Sequence, residues 1–331
     1  MKISSLINDC GKEHSPYMGN LVNHLPMGQL ALYKMTEDLD KVKKFTESYL
    51  SKARINPVKE DYIKISSIEG YLGNRELYKP CLSLVKREIE KRGIVEFTKH
   101  ILNTYPLGMS SGLFHTTIRV AYAVEGEKID GNLKEEIIRA LAYYITAYRE
   151  AELLIRKIDG GNIIQETEKL IENPHIKQLL SSKDSLGQKM KVLYESEEYS
   201  KYGFIIEGSE EQKIRSFLNL LLPAYYNSDN IVILHCITGL HAVLVLKDYY
   251  NDFSKILDIL FTCILTHLLT VENLDFEELK NEEIISSWGD IFEKASSSSD
   301  VHTLKLTYTC SELDKLYGMP ELKQIALRRI K

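Results

Sequence analysis

The sequence predicts an all-α protein, built as a single multi-helix domain with a metal site buried between its helices. Three observations lead there. Helix breakers are sparse, with 18 glycines and 8 prolines in 331 residues. Apolar residues recur at three- and four-residue spacing through long segments, as a helix with one buried face requires. The strict alternation of a half-buried strand is rare. At 44% hydrophobic residues, the chain can bury a large core.

Helical periodicity first appears at Leu39–Ala53. The longest basic-rich stretch, Lys41-Val42-Lys43-Lys44, lies in it beside Glu37, Asp38 and Asp40 and reads as a solvated helix face. Pro80–Arg92 follows, then Glu135–Lys157, where Ile137, Ile138, Leu141, Ala142, Ile145, Tyr148 and Leu153 mark the buried stripe. The same spacing predicts helices at Glu211–Leu222, Phe253–Thr270 and Glu283–Ala295. Breakers separate them at Tyr105-Pro106-Leu107-Gly108, Asp159-Gly160-Gly161-Asn162 and Asn227-Ser228-Asp229-Asn230. Ser296–Ser299 reads as a loop feeding a helix capped by Ser299 or Asp300. The most apolar stretches, Ile231–Leu246 and Leu257–Val271, contain His235, His241 and His267. Both fall short of the ~18–20 apolar residues of a membrane span and read as buried core helices. No repeat period and no linker divide the chain, so one domain is expected over residues 1–331.

Several function classes are disfavoured. A net charge of −5, with basic residues scattered, leaves no footprint for nucleic acid. Met1–Cys10 has no long apolar run of the kind a secretion signal carries. Cys10, Cys81, Cys236, Cys263 and Cys310 are odd in number and form no CxxC pair, which argues against a disulfide framework or a zinc ribbon. They read as small buried apolar residues, and a cytoplasmic location is expected. No GxGxxG turn follows a strand, so a Rossmann-bound flavin or nicotinamide is not supported.

The histidines carry the chemical signal. Of nine, His24, His115, His235 and His302 sit in segments that read as buried. A buried imidazole needs a hydrogen-bond partner or a metal. Four neutral imidazoles would suit iron or zinc, although their spacing alone does not show that they meet. His235 and His241 are six residues apart, roughly 120° off a shared helix face, so His241 reads as a pocket residue or as core. His302 and Lys305 are three apart and share a face. A cationic lysine there would repel a metal, so Lys305 must be neutral, turned away or carboxylated; otherwise it is a surface lysine. Arg119 lies one helical turn after His115 and could hold an anionic substrate oxygen, or could pair with a carboxylate such as Glu125. Asn23 and Thr238 are candidate hydrogen-bond partners for the ligand imidazoles. His14, His100 and His175 read as dispensable, and His267 as core. The twenty tyrosines could line an aromatic pocket, although Tyr144, Tyr225 and Tyr226 read more simply as core or surface.

Four segments in order, NHLPMGQLAL at Asn23–Leu32, FHTTIRVAYAVE at Phe114–Glu125, HCITGLHAV at His235–Val243 and VHTLKLTYTC at Val301–Cys310, resemble the questin oxidase-like family. The resemblance runs from about residue 14 to about 312. It implies an oxygenase related to fungal enzymes that open the ring of anthraquinones such as questin in a Baeyer–Villiger-type reaction. It also implies non-haem Fe(II) held by four histidines and a carboxylated lysine, here His24, His115, His235, His302 and Lys305. A small aromatic substrate and dioxygen are the implied partners, with NADPH as a possible further cofactor. Gly239-Leu240-His241 departs from the fungal pattern, which puts the substrate in doubt rather than the metal. Five ligands on an octahedral ion would leave one position for dioxygen. His241 and Arg119 are the residues expected to act on substrate. A metal-dependent hydrolase on a helical scaffold and a non-catalytic helical binding protein are the rival readings.

Overall fold

A computed structural model describes residues 2–59, 65–280 and 284–330. Among these residues are seventeen α-helices and four strands of two or three residues, which makes the protein all-α. Buried apolar residues from Ile3 to Ala326 join one contiguous core. No described helix is long and apolar enough to cross a membrane.

Most helices begin where local chemistry supplies a cap. The Asp38 carboxylate accepts from the backbone N–H groups of Asp40 and Lys41 and starts Leu39–Lys52. Asp300, rather than Ser299, caps Val301–Tyr317 by accepting from the His302 N–H. Ile231–Val245 and Phe253–Leu269 are buried core helices, as their apolar runs predict.

Three predicted helices have different bounds. The stretch read as Glu135–Lys157 is helical only over Lys134–Thr146. Beyond it, other segments take up the backbone donors: the Arg149 N–H donates to Ser111 Oγ, that of Ala151 to the Leu107 carbonyl and that of Leu154 to Thr262 Oγ1. The chain then enters a short strand, Lys157–Asp159, paired in parallel with Ile205–Glu207. Glu210–Ser228 runs past the predicted end at Leu222 and through Pro223. An interior proline costs roughly 3 kcal/mol, which burial of Leu220, Leu221, Leu222 and Tyr225 offsets. The helix predicted at Glu283–Ala295 is Trp288–Ser296, opened by a Ser287–Asp290 capping box. Glu283 itself lies outside the described residues.

Four helices set up the interior: Leu25–Thr36, His115–Ile129, Ile231–Val245 and Val301–Tyr317. The first packs on the second, the second on the third, the third on the fourth and the fourth on the first, closing a ring. The other helices wrap around this ring and carry the long connections within it. Gly28 permits the closest approach: a Cβ there would lie 2.6 Å from Val301 Cγ2 and 2.7 Å from Phe45 Cζ. The first helix can therefore sit directly against the start of the fourth.

The ring is braced from outside by a buried charge cluster. The Arg119 and Arg139 guanidiniums each donate to Glu136 at 2.7 Å. Burial pushes the Glu136 carboxyl upward, but the two arginines outweigh it and hold its pKa below the usual carboxylate value. A depressed folded-state pKa contributes stability that is present above the unfolded pKa and lost as pH falls through the folded one. Glu136→Ala should therefore destabilise the protein by about 3–5 kcal/mol in denaturant unfolding, because it strands buried positive charge. Glu136→Gln should lose less stability than wild type on acidification below about pH 4.

Candidate metal centre

Each of the four helices of the ring carries a histidine near its N-terminus. His24 is the N-cap of Leu25–Thr36, His115 opens His115–Ile129, His302 is the second residue of Val301–Tyr317, and His235 lies one turn into Ile231–Val245. A two-stranded hairpin, Tyr17–Met18 with Leu21–Val22, delivers the chain to His24.

Every one of these rings is anchored through Nδ1. His24 Nδ1 lies 2.6 Å from the Val22 carbonyl, and His235 Nδ1 lies 2.7 Å from the Ile231 carbonyl. His115 Nδ1 meets the Gly112 carbonyl, and His302 Nδ1 lies 3.3 Å from Asp300 Oδ1. Carbonyl and carboxylate oxygens only accept, so these partners assign the hydrogen of each neutral ring to Nδ1. Nε2 is then a bare lone pair on all four. The Nε2 atoms of His24 and His115 lie 2.6 Å apart and those of His115 and His235 3.0 Å apart. One ligand atom from each of the four histidines fits within a 4.8 Å span. Metal–nitrogen bonds of ~2.1 Å would put neighbouring ligand atoms ~3 Å apart and opposite ones ~4.2 Å apart, so the set fits one ion. Four convergent lone pairs repel, and a cation is what relieves them.

The electrostatics keep the rings neutral. Burial is the largest cause lowering the pKa of His24, His115 and His235, and the neighbouring histidines and Lys305 push the same way. Burial also lowers His302, against the opposing pull of Asp300. Asp300 in turn accepts from Arg329 at 2.8 Å, which steadies the carboxylate behind the His302 ring. Lys305, on the same helix, is fully buried, and its Nζ has no hydrogen-bond partner among the described residues. Burial pulls its pKa down to about 7, so much of the amine is neutral near neutral pH. Four helix N-termini meet here, and their partial positive charge disfavours protonation of the imidazoles and favours an anion beside them.

His115 is held by strained backbone. Gly112, Leu113 and Phe114 have φ of 60°, 61° and 62°, a left-handed run that brings the Gly112 carbonyl back onto the His115 ring. Non-glycine residues in that region cost ~1–3 kcal/mol each. Packing of Phe114 offsets the cost: its ring is buried between Gly239 and His267, with its centroid 5.1 Å from that of the imidazole. A Cβ at Gly239 would lie 2.7 Å from Phe114 Cγ.

The histidines face a cavity of about 890 Å³. All four contribute to its wall, together with apolar residues that include Val22, Leu113, Met190 and Ile231. Charged residues, among them Arg75, Arg149 and Glu152, also line it. The size is that of a small-molecule site.

The sequence pattern of the questin oxidase-like family matches residues 21–310. The chain belongs to this family. Membership supports an oxidase- or oxygenase-type role. No curated protein matches the chain.

Within this questin oxidase-like fold, the four predicted histidines and Lys305 come together, and the other predicted site residues do not. Arg119 does not line the cavity; it is bound to Glu136, and Glu125 pairs instead with Lys34. One turn beyond His115, its side chain passes into the core toward the Lys134–Thr146 helix. His241 is buried with Nδ1 3.5 Å from Thr309 Oγ1 and its ring edge-on to Tyr308, away from the cavity. The Thr238 hydroxyl donates to the His235 carbonyl at 3.4 Å rather than to its ring. The Asn23 side chain donates to the Ser15 carbonyl and accepts from the Leu25 N–H, so it caps the His24 helix rather than touching an imidazole. Tyr194 is the one tyrosine lining this cavity among the described residues; Tyr144 and Tyr225 are core. His267, read as core, is indeed buried but also lines the cavity.

The Phe114–Gly239 contact yields a test. Gly239→Ala should cost ~1–3 kcal/mol of stability by overpacking and should weaken metal binding by displacing His115. Adding Phe114→Leu should restore part of the melting temperature. Undiminished stability in the single variant would show that the contact does not constrain the site.

Proposed function

We propose that the chain is a single-domain, cytoplasmic non-haem iron oxygenase that oxidises or ring-cleaves a small quinone- or phenol-like aromatic. One observation carries the reading: four neutral imidazoles turn their Nε2 lone pairs toward one point on the wall of a largely apolar cavity. Family membership then favours oxidation over hydrolysis. Among the described residues, the four-histidine cluster itself includes no carboxylate, although Glu150 and Glu152 line the same cavity.

His24, His115, His235 and His302 would hold the ion, with Lys305 as the fifth ligand. The buried Nζ without a partner is what recommends Lys305. Its partly neutral amine can add to carbon dioxide, forming an N–C bond and releasing one proton, to leave a carbamate of charge −1. Four helix N-termini favour that anion. When bound, Fe(II) supplies an electron-rich centre that activates dioxygen. The chain's own contribution is to hold the ligands on short anchored segments, to keep their rings unprotonated, and to press the aromatic ring against the histidine wall where little water enters.

Elemental analysis of the purified chain should find iron, and nitric oxide should then produce a ferrous nitrosyl signal. Zinc alone would indicate a hydrolase, and no metal after anaerobic Fe(II) loading a binding protein. His302→Ala should lower iron content at least ~10-fold, while His267→Ala should leave it unchanged. Lys305→Arg keeps the charge but cannot form the carbamate. Normal iron content and normal turnover in that variant would eliminate the fifth ligand.

A further inference from the structure

The Phe253–Leu269 helix contributes His267 to the cavity wall. This imidazole is outside the metal cluster. Nδ1 lies 2.7 Å from the Cys263 carbonyl one turn back on the same helix. That oxygen can only accept, so Nδ1 carries the ring hydrogen and Nε2 is a lone pair. Nε2 is buried and meets no donor among the described residues. The Phe114 ring, tilted 37° to the imidazole, packs against it from one side. Burial lowers the pKa to about 4, which leaves the ring neutral at neutral pH and Nε2 an acceptor. Tyr194, also on the wall, buries its hydroxyl beside Thr266 and Cys263.

An acceptor placed this way is satisfied only by a donor from whatever enters the cavity. An aromatic ring seated against this wall must bring its own O–H, or the lone pair is left unpaired in an apolar surround.

We propose that His267 Nε2 accepts a hydrogen bond from a hydroxyl group of the aromatic substrate, so that the cavity selects free phenols over the corresponding ethers. The proposal rests on the cavity being an aromatic site, as argued above, and adds the substituent that the aromatic must carry. His267 is on this account a substrate-binding residue and not a metal ligand.

The test compares 2-hydroxyanthraquinone with 2-methoxyanthraquinone. Their substituent lies too far from the quinone carbonyl to be tied up internally. Binding is followed anaerobically by calorimetry, near pH 6 so that the phenol keeps its proton. Wild type should bind the hydroxy probe roughly tenfold or more tightly than the methoxy probe, the typical effect of leaving a buried acceptor unpaired. His267→Leu should reduce that preference to about twofold or less while leaving methoxy binding and iron content unchanged. His267→Gln, whose Oε1 can accept from nearly the same place, should recover part of the preference. Equal binding of the two probes by wild type, or a preference that persists in His267→Leu, overturns the assignment while the aromatic site stands. Binding of neither probe overturns both. The wild-type comparison requires no variant to fold.

Discussion

Four imidazole lone pairs turned toward one point make an arrangement that a protein adopts only against resistance, and the rest of this molecule is arranged around it. Each ring is denied an alternative. With Nδ1 committed to an oxygen acceptor, rotating the ring away would strand an N–H in the core. The helices begin at or just before the histidines, so short anchored segments rather than long loops carry the ligands. The ring of four packed helices brings those beginnings together.

That convergence has electrical consequences. Four positive helix ends and a buried lysine surround the imidazoles, and all of them oppose protonation. The same field favours an anion, which suits a carbamate on Lys305 and an electron-rich oxygen substituent on the substrate. The Arg119 charge is kept away from this centre. Arg119 starts one turn from His115 yet ends against Glu136, where its charge is neutralised in the core. Strain is concentrated at Leu113 and Phe114, next to the ligand they position, and Gly239 provides the space that makes the strain tolerable.

Much of the fold was legible because periodicity and caps are local. Leu39–Lys52 and Phe253–Leu269 appear nearly as read, and the five cysteines are free. The misreadings share one cause. Past Thr146, apolar spacing continues, but backbone groups find partners on Leu107, Ser111 and Thr262, far away in the chain. Arg119 was placed on the correct helix and sent to the wrong neighbour, because helix periodicity relates residues of one helix and says nothing of which element covers its face. His267 was rightly read as buried, but burial and lining a cavity look alike in a one-dimensional pattern.

By itself the sequence determined the all-α class, the helices that carry His115, His235 and His302, the shared face of His302 and Lys305 and, through four ordered motifs, the family. These depend on neighbours within a few residues or on strings of residues that can be compared directly. Only the tertiary structure decided that His24, His115, His235 and His302 meet, that Lys305 is left without a partner, that Arg119 is committed to Glu136 and that His267 offers a free acceptor to a cavity. The His24–His115 and His115–His235 contacts join residues 91 and 120 positions apart. Such contacts are set by how helices pack across the core, which no local spacing encodes.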